Sequence, residues 1–495
     1  MRHYLAFDLG AESGRALLGT LEADKLTVEE LHRFPNTPVR VFDALYWDTL
    51  RLWHEIQRGL AIAGRERKLS LSGIGIDTWG VDFALLGADG ALADNPRHYR
   101  DARTNGVMEK VFAIVPRAEV FAQTGIQFMQ LNSLYQLYAL KLAGSPALAA
   151  ARTLLFMPDL LNYWLTGVAR AEVTIASTSQ FYDPRKKTWA RDLLERLGLP
   201  THILPDIVAP GTRLGPLIDS VAEAACLRDV PVYATGCHDT ASAIAAVPAE
   251  GGSWCYISSG TWSLMGAELD EPIINEQVLA QNLTNEIGAA GKVRFLKNIA
   301  GLWLLQECRR AWALDGTEYT YDDLVRLAAG ARPFSAIINP DAFLEPGDMP
   351  RKIVEHCRAC GQAAPETAGE FTRTILESLA LRYRQVLESL ESLAGRRFEV
   401  IHIVGGGSRN ALLNQFVADA TGRTVIAGPG EATAIGNILI QAMGAGELAA
   451  LGEARALVRR SFPVESYRPK GGPGWEEAYG RYRSELRSSG PGAGR

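Results

Sequence analysis

Long uncharged apolar runs are missing from this chain. None approaches the roughly 18 residues that a membrane-spanning helix requires, and the longest soft stretch, Ala241 to Val247, is far shorter. The N-terminus meets an acid at Asp8 before the apolar core of an export signal could form. A cytoplasmic location and no membrane partner are therefore expected. Basic charge is not in excess either. The 51 Lys and Arg against 56 Asp and Glu give a net charge of −5, which argues against a nucleic-acid-binding face. Short basic runs such as Arg185-Lys186-Lys187 read as solvated surface. Cysteine is sparse, six in 495 residues, so reduced thiols are expected. His356-Cys357-x-x-Cys360 offers a zinc half-site without the second ligand pair that a four-ligand centre needs. Several catalytic signatures are absent too: no G-x-x-x-x-G-K-[ST], no G-x-G-x-x-G, no G-x-S-x-G and no H-E-x-x-H. P-loop, dinucleotide-fingerprint, serine-hydrolase and zincin readings lose their main support.

What remains is a 495-residue chain, 47% hydrophobic and 22% charged, with the composition of a soluble globular protein. A chain of this length suggests two domains of roughly 200–250 residues. The opening residues read as a hairpin: Tyr4 to Leu9 runs apolar, Gly10-Ala11-Glu12-Ser13-Gly14 turns, and Arg15 to Gly19 returns. Leu26 to Phe34 can add a third strand. Trp47 to Arg67 has helical spacing through Leu50, Trp53, Ile56, Leu60 and Ala63. Leu71 to Asp77 and Val81 to Leu86 read as strands, and 104–199 is mostly helical by period. Pro248-Ala249-Glu250-Gly251-Gly252 is loop-like, so a boundary is expected there, giving domains 1–247 and 248–466 with a C-terminal extension 467–495. After it the opening pattern recurs as Ser253 to Ile257, a Ser258-Ser259-Gly260-Thr261 turn, and Trp262 to Gly266. Helices over 301–312, 367–393, 411–420 and 432–443 and strands over 400–404 and 424–426 follow. The tail from Ser488 is low-complexity and expected to be disordered.

Four loops each end an expected strand and offer backbone N–H groups or hydroxyls: Gly10–Arg15, Gly236–Thr240, Ser258–Thr261 and Gly405–Asn410. Such turns form anion nests, and helix N-termini add partial positive charge. Distributed over both halves, they suggest a phosphate clamped between domains. Asp239 stands at a strand-to-helix turn and is the candidate general base, since phosphoryl transfer needs an acceptor hydroxyl aligned and its proton accepted. His238 reads as a ligand contact rather than a second base. Asp8 can hold a water of Mg²⁺. Asp77 and Asp82 flank Thr78-Trp79-Gly80-Val81, and Asp77 reads equally as a turn cap or a site residue.

At these residues the chain resembles the FGGY carbohydrate kinase family. The carrying segments are Asp8-Leu9-Gly10-Ala11-Glu12-Ser13-Gly14-Arg15, Gly75-Ile76-Asp77-Thr78-Trp79-Gly80-Val81-Asp82-Phe83, Tyr99-Arg100-Asp101-x-Arg103-Thr104 and His238-Asp239-Thr240-Ala241-Ser242-Ala243, followed by Ser258 to Gly266, Leu296-Lys297-Asn298-Ile299, Gly301 to Gln306 and Val404-Gly405-Gly406-Gly407. The resemblance implies an α/β, two-domain actin-like (ribonuclease-H-like) ATPase fold with an interdomain cleft. It implies ATP and Mg²⁺, with the γ-phosphoryl passing to O1 of L-rhamnulose. By motif, Ala11, Glu12, Ser13, Gly14, Arg15, Thr261, Gln306 and Gly406 would contact ATP, with Asn410 an extension from its place after the Gly-rich turn. Gly80, His238, Asp239, Thr240 and Asn298 would contact the sugar, Asp239 as proton acceptor. Two positions depart from the pattern: Glu12 stands where a small hydroxyl residue is expected, and Cys237 where a serine is expected. No disulfide is inferred. A kinase for another ketose such as L-fuculose, or a non-catalytic actin-like nucleotide module, are the alternatives, and the oligomeric state stays open between monomer and dimer.

Overall fold

The computed structural model describes residues 1–472 and 474–488. Chain contacts form two compact units. The first joins Met1–Pro248, Glu268–Phe295 and Ala432–Phe462; the second joins Ala249–Ala267, Leu296–Glu431 and the chain from Pro463 onward. The sequence suggests one cut near residue 248, whereas here the second half also sends two segments back to the first unit.

The first unit is built on six strands: β1 (Arg2–Leu9), β2 (Ser13–Glu22), β3 (Lys25–Pro35), β4 (Gly73–Thr78), β5 (Thr212–Pro216) and β6 (Pro231–Ala234), in the order β5-β6-β4-β1-β2-β3. β1 pairs antiparallel with β2 and parallel with β4, and β6 pairs parallel with β4. β1 is buried from Tyr4 to Leu9 on both faces, which is why its sequence reads as a continuous apolar run and not an alternation. The helix Thr49–Ala61 covers one face with Leu52, Ile56 and Leu60. It opens on Asp48, whose side chain accepts from the Arg51 N–H at 3.2 Å. The helix Ala432–Gly444 packs against strands β1 and β4 of the same unit. Glycine makes that approach possible. A Cβ on Gly75 would fall 2.4 Å from Thr235 Cγ2 and 2.6 Å from Asn437 Oδ1, and one on Gly73 would fall 2.8 Å from Gln441 Oε1. Two residues apart on β4, these glycines share a face and open it to the helix. This packing returns Ala432–Phe462 to the first unit.

The second unit repeats the opening topology. Strand β7 (Trp254–Ser259) forms an antiparallel hairpin with β8 (Ser263–Leu269), pairs parallel with β9 (Val400–Val404), and β9 pairs parallel with β10 (Thr424–Ala427). β8-β7-β9-β10 thus matches β2-β1-β4-β6 in order and sense. The long helix Ala368–Ala394 starts on a capping box between Thr367 and Glu370 and ends where Gly395 adopts φ 64°. The C-terminal extension contains an ordered helix, Trp475–Ser488, tied to the long helix by Arg384–Glu476 at 2.7 Å and by Tyr479 donating to Glu388 at 2.5 Å. The tail past Ser488, expected to be disordered, lies outside the described residues.

Candidate active site

In the first unit the carboxyl ends of β1, β4 and β6 converge. Asp8 and Asp77 are partners in the parallel β1–β4 register, and the Thr78 N–H donates to the Cys237 carbonyl at 2.9 Å, carrying the sheet one step beyond β6. Thr78 and His238 form an isolated parallel bridge. This edge delivers the chain to the helix Asp239–Ala245 with Asp239 as its first residue. A carboxylate there is favoured by the helix N-terminus.

Asp239 is partly exposed, its side chain 30% accessible. One oxygen is heavily committed: Oδ1 accepts from Thr240 N at 2.5 Å and from Thr240 Oγ1 at 3.0 Å, and His238 Nε2 lies 3.4 Å away. Among the described residues Oδ2 accepts no hydrogen bond, which leaves it as the oxygen able to take a proton. Gly80 borders the same spot; a Cβ there would lie 3.4 Å from His238 Nε2 and from Thr178 Oγ1. Next to it Val81 adopts φ 68°, a conformation that disfavours a β-branched residue. It is held by its N–H to Thr178 Oγ1 at 3.1 Å and by Ser133 donating to its carbonyl at 2.5 Å. The strand expected from Val81 accordingly begins only at Phe83. Asp82 anchors the turn from below. Its Oδ2 accepts from Trp47 Nε1 at 2.6 Å, Trp79 Nε1 at 3.0 Å and Tyr99 N at 3.1 Å, and its Oδ1 from Gln136 Nε2 at 2.8 Å. Burial still pushes its carboxyl up to about 6.

Asp77 caps no turn. It is a fully buried strand residue whose Oδ2 accepts from Asn437 Nδ2 at 2.5 Å. Burial first, then the charges of Asp8 and Asp239, hold its carboxyl well above the usual range. Asp8 receives Arg15 at 2.5 Å across the hairpin, where the two are register partners. The tip itself is Gly10 to Glu12, and Ser13, Gly14 and Arg15 already belong to β2. Asn36 secures the tip, donating from Nδ2 to the Gly10 carbonyl at 2.8 Å and from N to the Glu12 carbonyl at 2.9 Å. Gly14 has a packing reason of its own, since a Cβ would fall 2.3 Å from the Phe34 ring. Glu12 is exposed.

The second unit brings its own two loops together. Gly405 adopts φ 84°, and a Cβ on Gly407 would fall 2.1 Å from Ser259 Oγ. The Gly-rich turn therefore lies directly on the Ser258–Thr261 tip. Gly406 faces open space and is exposed. Thr261 O accepts from the Trp303 N–H at 3.1 Å, fastening the tip to the helix Trp303–Leu314 that carries Gln306. Gln306 Oε1 is buried with no hydrogen-bond partner, an exception that calls for a ligand or water. Asn410 is the N-cap of the helix Ala411–Thr421, accepting from Leu413 N at 3.0 Å, so its oxygen already has a structural task. Asn298 lies on the strand Val293–Ile299 and is half-buried.

Sequence models of the FGGY family of carbohydrate kinases match both halves, the N-terminal domain over residues 3–246 and the C-terminal domain over 255–445. The chain belongs to the FGGY family of carbohydrate kinases. A protein of Bacteroides thetaiotaomicron named rhamnulokinase is 46% identical over 488 residues, covering 98% of this chain and 100% of its own length. One of Oceanobacillus iheyensis with the same name is 40% identical over 465 residues, 94% of this chain and 97% of its own. Among solved structures, the ligand-bound xylulose kinase of Lactobacillus acidophilus superposes with a TM-score of 0.81 at 15% identity, covering 99% of both chains. That likeness establishes the two-domain α/β sugar-kinase fold. An FGGY kinase uses ATP with a divalent metal. Among the described residues no group of three or more His, Cys, Asp or Glu side chains is arranged to hold a metal ion. None of the six cysteines is in a disulfide, and no described helix is long and apolar enough to cross a membrane.

The sequence motifs did not reveal Asn36, Glu172, Glu286, Arg294 or Asn437. Glu172 is fully buried behind the Asp239 turn and accepts from the Cys237 N–H at 3.1 Å, from Thr174 N at 2.9 Å and from Thr174 Oγ1 at 2.5 Å. Thr174 Oγ1 in turn accepts from His238 N at 3.1 Å. No local pattern marks these residues; each has at least one partner 26 or more positions away, whatever nearer contacts it also makes.

Proposed function

We propose that this chain transfers the γ-phosphoryl group of ATP to O1 of L-rhamnulose, giving L-rhamnulose 1-phosphate and ADP. The observation that carries the substrate assignment is the full-length likeness, 46% identity over 98% of the chain, to a protein named rhamnulokinase. In this reading the first domain mainly binds sugar and supplies the phosphate loop Ala11 to Arg15, and the second mainly binds nucleotide.

Asp239 is the proton acceptor. Its Oδ2 takes the O1 proton as O1 attacks the γ-phosphorus, while Thr240 holds Oδ1 and so fixes the carboxylate plane. Gly80, His238, Thr240 and Asn298 hold the ketose. Ala11, Ser13, Gly14, Arg15, Thr261, Gln306 and Gly406 hold ATP, with the orphaned Gln306 Oε1 and the open face of Gly406 as the features that suit it. Glu12 is the weakest fit, because an exposed carboxylate repels phosphate unless turned away, and Asn410 acts chiefly as a helix cap. A Mg²⁺ ion, when bound, neutralises charge on the phosphates, and Asp8 would hold one of its waters. The protein works in the cytoplasm.

Steady-state kinetics with ATP and Mg²⁺ on a ketose panel tests this. L-Rhamnulose should give the highest kcat/KM, and the product should carry its phosphate at C1. A higher value for L-fuculose, or nucleotide binding without any phosphorylated product, overturns the assignment.

A further inference from the structure

His238 is held from behind by a buried guanidinium. Arg294 is fully buried, and its Nη2 lies 2.9 Å from His238 Nδ1 and 3.1 Å from Glu286 Oε2, while Nε donates to the Ile287 carbonyl at 3.2 Å. Glu286 Oε2 is also 3.4 Å from His238 Nδ1. Room for the arginine stem is provided at Gly288, where a Cβ would come within 3.0 Å of Arg294 Cγ. Arg294 Nη1 is buried with no hydrogen-bond partner. A fully buried charge with one nitrogen unsatisfied is poor value for stability alone, so its contact with the imidazole is the feature to explain.

Arginine has donors and no acceptor. A hydrogen on His238 Nδ1 would point into the Nη2 hydrogens, so Nδ1 must be the acceptor. The neutral ring then carries its only proton on Nε2. Nε2 is the nitrogen beside Gly80, 3.4 Å from Asp239 Oδ1. That is long for a hydrogen bond, so the Nε2 hydrogen is left for an incoming oxygen. The competing arrangement, Nδ1–H donating to Glu286, is disfavoured because Glu286 is the more distant of the two and already receives Arg294.

We propose that Arg294 is a positioning residue which locks His238 as the Nε2–H tautomer, so that the imidazole always presents a donor, never an acceptor, to the sugar. Glu286 balances the guanidinium charge and orients it. This role rests on the reading that His238 contacts the sugar. It makes a specificity statement: a ketose must offer an oxygen at that position, and its deoxy analogue is rejected because the buried donor would be left unpaired.

The test reads tautomer and kinetics separately. In protein labelled with ¹⁵N-histidine and free of ligands, the His238 signals, assigned by their loss in His238→Asn, should show Nδ1 as an unprotonated, pyridine-type nitrogen and Nε2 as pyrrole-type. In Arg294→Gln the signals should move towards a tautomer mixture, and the ketose KM should rise by the inverse of the remaining Nε2–H fraction, roughly twofold for an even mixture, while kcat changes little. Arg294→Lys, which keeps a cationic donor, should recover part of both. A protonated Nδ1 in the wild type overturns the proposal, and that spectrum decides the matter even if Arg294→Gln does not fold. So does an Arg294→Gln protein of normal melting temperature in which spectrum and KM are unchanged, or one in which the tautomer is lost and KM stays put. Failure of the ketose-kinase reading itself would appear in the wild-type assay, independently of the spectrum.

Discussion

Asn437 donates to Asp77 at 2.5 Å although the two are 360 positions apart in the chain. The bond joins the helix Ala432–Gly444 to the strand that ends beside the Asp239 turn, and among the described residues it is the only hydrogen bond to a carboxylate that burial and two neighbouring acids already hold well above the usual range. Replacing Asn437 by Ala leaves that group buried without its donor. We expect a loss of about 1–3 kcal/mol in unfolding free energy, read by urea titration. Unchanged stability would mean that the Asp77 carboxyl finds another partner.

Asp239→Asn tests the base. The amide keeps the shape and the contacts of Thr240 with its oxygen but cannot take a proton. Turnover should drop by roughly 10²–10⁴-fold, with sugar affinity near normal when measured by calorimetry. A variant retaining close to wild-type kcat would show that another group accepts the proton.

Much of this architecture could be read from the sequence because local signals agree with the fold. The strand Val400–Val404 and the helices from Ala411 and Ala432 fall where periodicity and glycine turns place them. The repeated hairpins were visible as paired apolar runs around Gly–Ser tips. The site was legible only where it coincides with a turn. Asp239 stands out because a short strand and a small-residue helix frame it, whereas Arg294 sits inside an ordinary buried strand. Asp77 illustrates the limit: an acid before Thr-Trp-Gly reads equally as a turn cap or a site residue, and neither its strand pairing with Asp8 nor the approach of Asn437 from the far end of the chain is visible locally. The return of Ala432–Phe462 to the first unit was hidden for the same reason. The glycines on β4 that admit the helix are unremarkable until their neighbours are known.

Gly436 supplies a packing test inside the first unit. A Cβ there would fall 1.7 Å from the Ser242 carbonyl oxygen, and Ser242 belongs to the helix headed by Asp239. Gly436→Ala must push these helices apart. Overpacking of this kind costs typically about 1–3 kcal/mol or more, and because the displaced helix carries the proposed base, kcat should fall together with the melting temperature. Destabilisation with full kcat would show that the Asp239 turn is held independently of that contact, by Glu172 and Thr174.

Glu172 gives the pH dependence. Burial pushes its carboxyl from 4.5 up to about 7 against the opposing bonds from Thr174, Ile175 and Cys237. The folded state therefore keeps the proton over a range in which the unfolded chain has lost it. Stability from this group is fully present below 4.5, declines as pH rises through the window to about 7, and is level above it. The decline is at most about 3 kcal/mol by the usual conversion of a pKa shift. Asp82 and Asp159 are shifted in the same direction, so the wild type alone cannot isolate the effect; the comparison with Glu172→Gln does. The amide has no proton to lose, and its unfolding free energy should fall less steeply than that of the wild type between pH 5 and pH 7.5 in buffered urea titrations. Parallel pH profiles for the two proteins would mean that Glu172 is ionised throughout, held so by its four donors, and that the turn bearing Asp239 rests on a permanent buried charge.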